Sequence, residues 1–423
     1  MYKKTKLSNG LNIITSPMPG MASVTLGIWI GIGGRYESEK QSGISHLVEH
    51  MLFKGTKDMS TKELKQSIEG IGGAFNGFTS DEVTCYLVKV PSKYVELGVD
   101  VLADMVLNAK CDEKDLAKEK FVVCEEIKMY RDQPADHVLD VLSKIMWPGD
   151  PLGRSLTGTM TIVKSLTRKE IVKFRDDNYH PGNMAVVAAG KVNPEKLTGY
   201  VKKRLGSAAG KRNPSLKSSS SVQKSPRIKI CSGDTNQTHI AFGFHTKEKS
   251  VKERFAMKLM NVMLGGNMSS RLFEELREKH GLCYDVASAY KRHSDKGEMQ
   301  IHAGVDNSKA ARSVAAILDE VRRIRDLGVT EEELFRAKEY TKGQFLLGME
   351  GTSTRMMWLG DRFMVHKNIP EVKKILENLD SIGVKDIEKA CADTFSSSSV
   401  NLAMISKISD KEKSSIKKEL HKL

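Results

Sequence analysis

A stretch of linker composition divides this chain into two halves that repeat one succession of elements. Between Ser207 and Pro226 the sequence runs through Lys211-Arg212-Asn213-Pro214, Ser218-Ser219-Ser220-Ser221 and Ser225-Pro226, residues that punctuate a chain and do not build a packed core. Before it, an apolar strand pattern at 22–32 leads to helical patterns at about 43–53 and 60–70. Strand-like runs at 74–79 and 82–90 follow, then a helix at about 92–108. After it, strands at 228–230 and 239–244 lead to helices at about 251–264 and Ser269–Lys279. Strands at 283–291 and 297–305 and a helix at about 307–327 complete the set. Strand, helix, helix, strand pair, helix thus recurs, with few residue identities between the halves. The expected fold is α+β, with two similar domains, each a mainly antiparallel sheet packed with helices. The expected bounds are 1–206 and 227–423, joined by a flexible linker at 207–226, and 423 residues are enough for two cores of ordinary domain size.

Charge and cysteine usage exclude several classes of function. The net charge is +14, but Lys and Arg are interleaved with acids, as in Lys62-Glu63-Leu64-Lys65. No basic run carries interleaved aromatics, so these charges read as solvated helix faces and no nucleic-acid partner is expected. No apolar run approaches the roughly 18 residues of a membrane span. Near the amino terminus, Asn9-Gly10 is a turn between two alternating runs, the first hairpin of a fold and not a signal peptide. Cys85, Cys111, Cys124, Cys231, Cys283 and Cys391 are irregularly spaced with no Cys-x-x-Cys pair. They read as reduced, partly buried thiols, which places the expected location in the cytoplasm.

Chemistry concentrates in Ser42-Gly43-Ile44-Ser45-His46-Leu47-Val48-Glu49-His50-Met51-Leu52-Phe53. Residues four apart share a helix face, so His46 and His50 point the same way, and Glu49 borders that face. Two imidazoles suit zinc, and a neighbouring carboxylate can take a proton from a water on the ion. His-x-x-Glu-His is the inverzincin order. The helix also carries Leu47, Val48, Met51 and Leu52, so its polar residues need partners on burial, which a metal would supply. A catalytic zinc site takes three protein ligands. The third candidate lies in the acidic-start helical segment 112–127. There Glu119 and Glu126 are two turns apart on one face, and Glu125 points about 100° away. That face can supply Glu126 as ligand and Glu119 as the carboxylate that orients a ligand. Cys124 reads as core. His137, His180, His239, His245 and His280 form no comparable cluster and read as structural or surface residues. On spacing alone Arg277 is a surface ion-pair residue, Tyr284 a strand aromatic, and Asn76-Gly77 a turn or bulge.

Ser45-His46-Leu47-Val48-Glu49-His50-Met51-Leu52-Phe53-Lys54-Gly55-Thr56 resembles the motif of the insulinase/pitrilysin-type metallopeptidases. The closer likeness is to the branch of mitochondrial processing peptidase and its bacterial relatives. Gly72-Gly73-Ala74-Phe75-Asn76-Gly77-Phe78-Thr79 resembles a family strand in which Ala is usual at the position of Gly77. Leu264-Gly265-Gly266-Asn267-Met268-Ser269-Ser270-Arg271-Leu272-Phe273 resembles the start of the second-domain helix. Arg277-Glu278-Lys279-His280-Gly281-Leu282-Cys283-Tyr284 resembles its end. The resemblance implies one zinc ion per chain on His46, His50 and Glu126, selecting Glu126 over Glu125. Glu49 is then the general base, and Arg277 and Tyr284 anchor substrate and support the oxyanion. Asn76 marks an edge strand to which an extended peptide adds. The implied activity is endopeptidase cleavage of unfolded peptides inside a closed chamber, with a homodimer completing that chamber. The family also holds non-catalytic scaffold subunits and halves of heteromeric pairs. Scaffold subunits have usually lost ligands, whereas all four motif residues are present here.

Overall fold

Two sheets with one shared strand order organise the computed structural model, which describes residues 2–211, 213–216, 223–233, 235–421 and 423. The first sheet has six strands, in the order Lys3–Lys6, Asn12–Pro17, Met184–Gly190, Ser23–Ile30, Thr84–Pro91, Ala74–Thr79. The second has five, in the order Arg227–Cys231, Val400–Ile405, Gln237–Thr246, Gly297–Asp306, Cys283–Arg292. Each holds one parallel pair, Asn12–Pro17 with Met184–Gly190 and Arg227–Cys231 with Val400–Ile405. All other neighbours are antiparallel. Apart from the extra hairpin strand Lys3–Lys6, the two sheets have the same topology. The duplication read in the sequence is therefore a duplication of fold, and the α+β class of two similar helix-packed sheets is what the chain adopts.

The chain divides into two compact units. One comprises Met1–Lys128, Arg154–Lys217 and Leu346–Ile369, the other Met129–Gly153, Ser218–Phe345 and Pro370–Leu423. This differs from the expected division into 1–206 and 227–423, because each unit takes one helix from beyond the linker. Packing explains both cases. In the first unit the helix Thr352–Met364 lays Met356, Leu359 and Met364 on the sheet face bearing Trp29, Cys85 and Val187. Gly360 fits there because a Cβ at that position would fall inside the Trp29 indole. In the second unit the helix Pro134–Met146 lays Val138, Leu142 and Met146 on Ala241, Ala403 and Ile405. Gly243 leaves room for the Met146 sulfur. Glycine inside a strand commonly marks such a close approach. Of the expected linker, Arg212 and residues 217–222 lie outside the described residues.

The face of the first sheet opposite Trp29 carries the main core. Ile28, Tyr86 and Val88 meet Leu47, Val48, Met51 and Leu52 of the helix Ile44–Leu52. Burying that apolar side fixes the helix by its back and leaves His46, Glu49 and His50 on its other side. Among the described residues no helix is long and apolar enough to cross a membrane.

Candidate metal centre

The helix Ile44–Leu52 begins at a carboxylate from outside it. Glu37 accepts the backbone N–H groups of Gly43 and Ser45 at 2.7 and 2.8 Å, filling the role of a cap at the positive end of the helix dipole. Burial pushes the Glu37 carboxyl up to about 7, against the pull of those backbone N–H groups.

His46, His50 and Glu126 come together. The Nε2 atoms of His46 and His50 each lie 3.6 Å from Glu126 Oε2. Among the described residues this is the one group of three His, Cys, Asp or Glu side chains whose donor atoms lie within 4.8 Å of one another. A separation of 3.6 Å is too long for a hydrogen bond. It is close to the roughly 3.4 Å between ligand atoms that a tetrahedral zinc holds at about 2.1 Å. The donor set therefore fits zinc. Glu126 is on the helix Glu113–Asp132. Glu125, on the same helix, faces away and pairs with Lys128, and Cys124 is buried in the core.

Glu119, two turns before Glu126, accepts from His50 Nδ1 at 3.0 Å. Its other oxygen lies 2.7 Å from Lys54 Nζ. This settles the His50 ring by one nitrogen and leaves Nε2 toward Glu126. Burial, the largest influence on His50, works to lower its pKa. The Glu119 hydrogen bond and the charges of Glu126 and Glu49 outweigh it and raise the pKa. Glu119 is likewise held below the usual carboxylate range: burial opposes this, but the hydrogen bonds to His50 and Lys54 prevail. His46 is pushed down to about 4 by burial and then by the His50 charge, which keeps it the neutral imidazole that a metal needs.

Glu49 stands beside this trio, and Thr79 Oγ1 donates to its Oε2 at 2.7 Å. Burial raises the Glu49 pKa, with the Thr79 bond opposing. Thr79 lies on the strand Ala74–Thr79, an edge of the first sheet. Strand alternation puts Phe75, Gly77 and Thr79 on the face of the motif helix, where Phe75 meets Phe53. A Cβ at Gly77 would sit 3.2 Å from Glu49 Oε1 and 3.0 Å from the Phe53 ring. Asn76 shares the opposite face with Phe78, which packs on Trp29. It is exposed and accepts the Gly77 N–H through Oδ1 at 2.8 Å. The structure thus places Asn76 on the edge strand but does not bring its side chain to Glu49. Thr79 and Lys54, which the sequence did not single out, touch Glu49 and Glu119 directly. The signal for Thr79 was its period-two spacing from Gly77.

In the second unit, Arg277 lies on a segment wound as a π-helix, Phe273–Lys279, where an ordinary α-helix was expected. Such wide turns recur at functional sites. The winding carries through the exit, where Leu282 N–H reaches back to the Leu276 carbonyl at 2.7 Å and Gly281 takes a φ of 53°. The Arg277 guanidinium lies 4.7 Å from the ring centroids of both Phe273 and Tyr284. It also donates to the Tyr284 carbonyl at 3.0 Å. Tyr284 is 76% exposed, at the start of the edge strand Cys283–Arg292.

Comparison with known proteins agrees with this arrangement. Residues 12–160 match the sequence model of the insulinase family (peptidase family M16). Residues 165–340 match that of the peptidase M16 inactive domain. The uncharacterized zinc protease YmxG of Bacillus subtilis is 35% identical over 392 residues, 92% of this chain and 94% of its own. An uncharacterized zinc protease of Mycobacterium leprae is 33% identical over 91% of this chain and 87% of its own. A solved protease from Helicobacter pylori has a TM-score of 0.90 at 22% identity, covering 96% of this chain and 100% of that one. A chain of Complex III2 from Candida albicans has a TM-score of 0.85 at 18% identity, covering 98% and 99%. At such identities the solved structures speak to the fold alone.

Proposed function

The chain belongs to the insulinase (M16) family of peptidases, and we propose that it is a zinc-dependent endopeptidase acting on unfolded or extended peptides. The observation that carries this reading is the convergence of His46, His50 and Glu126 within 4.8 Å, with Glu49 beside them. His46, His50 and Glu126 would hold one zinc ion per chain. When bound, zinc supplies Lewis acidity, making water nucleophilic near neutral pH and polarising a carbonyl.

Glu49 takes the proton of the attacking water and returns it to the leaving amine. Its burial suits it to this, because desolvation raises the proton affinity of the carboxylate and makes it a better base. Thr79 holds one oxygen of Glu49, which leaves the other for the reacting proton. The substrate pairs in extended form along the edge Ala74–Thr79, its main chain supplying affinity with little demand on sequence, and Asn76 contributes to that track. Arg277 and Tyr284 anchor the substrate and support the developing oxyanion. The exposed Tyr284 ring, stacked on the guanidinium, supports this role. The second half carries no His-x-x-Glu-His, and its match to an inactive-domain description accords with an auxiliary part. The active assembly we propose is a homodimer, since the zinc ligands and the Arg277/Tyr284 pair are on one chain. Light scattering on the active protein tests this, and full activity as a monomer would refute it.

The deciding experiment is digestion of a diverse peptide mixture, with and without a chelator, read by mass spectrometry. Cleavage should stop with chelator and return with zinc. Glu49→Gln should keep its zinc and lose turnover by orders of magnitude. Unchanged turnover in that variant sinks the assignment of Glu49, whereas no cleavage by the zinc-loaded parent would favour a scaffold role.

A further inference from the structure

We propose that Lys54 is a positioning residue of the metal centre, acting through Glu119 on the imidazole of His50. This rests on the zinc reading above and adds a member to the site.

Lys54 follows the end of the motif helix, yet its backbone is not loose. Phe53 and Lys54 N–H groups bond the carbonyls of His50 and Met51 at 3.2 and 3.1 Å, continuing the helical turn. Gly55 then reverses the chain at a φ of 98°. Thr56, fully buried, pairs with Ala109. The lysine stem is thus fixed on both sides and starts one turn beyond His50.

Its Nζ lies 2.7 Å from Glu119 Oε1, with Lys54 30% and Glu119 6% exposed at the side chain. Glu119 Oε2 meets His50 Nδ1 at 3.0 Å. Each oxygen of a nearly buried carboxylate therefore has one partner: an ammonium on one side and a zinc-ligand imidazole on the other. A carboxylate so far from water needs a partner for each oxygen, because leaving one unpaired costs free energy. The His46 Nδ1, by contrast, is buried with no hydrogen-bond partner among the described residues. Glu119 is accordingly the carboxylate that orients a ring in this centre, and Lys54 is what holds Glu119. Removing the ammonium frees Oε1, lets the carboxylate turn off Nδ1, and loosens the ring.

The sign of the effect separates this from a simple charge effect. A lysine near a dication repels it, so its removal through space alone would tighten zinc. Acting through Glu119, its removal weakens zinc, and losses of about 10-fold or more are usual when such an orienting partner goes.

The test is zinc affinity of the full chain, measured by competition with a chromophoric chelator. The proteins are the parent, Lys54→Met, Lys54→Gln, Lys54→Arg, Glu119→Gln and the Lys54→Met/Glu119→Gln double variant. Thermal melts check folding, and two neutral variants ensure that a folding defect in one does not decide the matter. The expected result is at least about 10-fold weaker zinc in the neutral variants, near-parent affinity in Lys54→Arg, and no further loss in the double variant beyond Glu119→Gln. The visible spectrum of the cobalt-substituted protein should change in Lys54→Met and be restored in Lys54→Arg. Unchanged or tighter zinc in the folded neutral variants overturns the proposal, as does an undiminished Lys54 effect when Glu119 is already Gln. Failure of the parent to bind zinc would instead overturn the peptidase reading itself.

Discussion

Replacing Thr79 with Val should cripple turnover while leaving zinc in place. Thr79 Oγ1 donates to Glu49 Oε2 at 2.7 Å, and Glu49 has a raised pKa because it is buried. Valine keeps the β-branched shape and strand preference of threonine and removes only the hydroxyl. A hydrogen bond to a charged group contributes about 1.5–3 kcal/mol. If all of it serves to hold Glu49 in the reactive orientation, the loss in kcat is roughly 10- to 150-fold. In the proposed binding mode substrate affinity comes mainly from main-chain pairing along the strand edge, so KM should change little. Zinc content should be unchanged, because the hydroxyl removed is bonded to Glu49, which is not one of the proposed ligands. The assay is steady-state cleavage of a fluorogenic peptide alongside metal analysis, with Thr79→Ser as the control that keeps the donor. A Val variant within about twofold of the parent kcat at full zinc, or a Ser variant as poor as Val, would refute the reasoning.

Other consequences can be measured directly. Tyr284→Phe should lower kcat with zinc retained, because it removes the hydroxyl proposed to face the oxyanion; normal kinetics would count against the role. Gly360→Ala places a methyl inside the Trp29 indole and should cost about 1–3 kcal/mol or more by overpacking, read as a lower urea midpoint; a parent-like midpoint would mean the Thr352–Met364 helix can shift freely. Glu37 provides a pH test with a definite sign. Its folded pKa of about 7 exceeds the ordinary 4.5, so the native state keeps a proton that the unfolded state releases, and stability falls as pH rises between those values. Relative to Glu37→Gln, which cannot ionise, the parent should lose up to roughly 3 kcal/mol between pH 4.5 and 7.5; a gap in denaturation free energy that is constant with pH would rule this out.

Much of the fold was legible because it is local. The periodic runs at 43–53, 60–70 and 92–108 became the helices Ile44–Leu52, Thr61–Glu69 and Val95–Asn108, and Asn9-Gly10 turns the first hairpin between Lys3–Lys6 and Asn12–Pro17. What the sequence hid was which sheet each later helix covers. Met356 and Gly360 find Trp29, and Met146 finds Gly243, through matches between residues about 100 or more positions apart. Hydrophobic periodicity says that Thr352–Met364 and Pro134–Met146 each have an apolar side. It does not say which sheet that side will meet. Gly243 was an available clue, since a strand glycine marks close approach, but it does not name the helix that approaches it.

The candidate site divides along the same line. His46, His50, Glu119 and Glu126 were readable because each pair lies on a single helix, where spacing alone decides which side chains share a face. Lys54 and Thr79 were not, because each reaches its carboxylate from another element: a turn after the motif helix, and a sheet edge. Lys54 in particular looks like any surface lysine until Glu119 is found nearly buried against it. The edge strand shows how a one-residue difference matters. Asn76 drew notice through the family resemblance, yet alternation turns it to the Trp29 face and turns Gly77 and Thr79 to Glu49. Helical spacing says which of the proposed ligands share a face, and the family resemblance is what selects Glu126 over Glu125. The side chains that hold those in place follow from asking what lies against each carboxylate: Thr79 against Glu49, with only its alternation along the strand to hint at it, and Lys54 against Glu119, with no sign in its own segment.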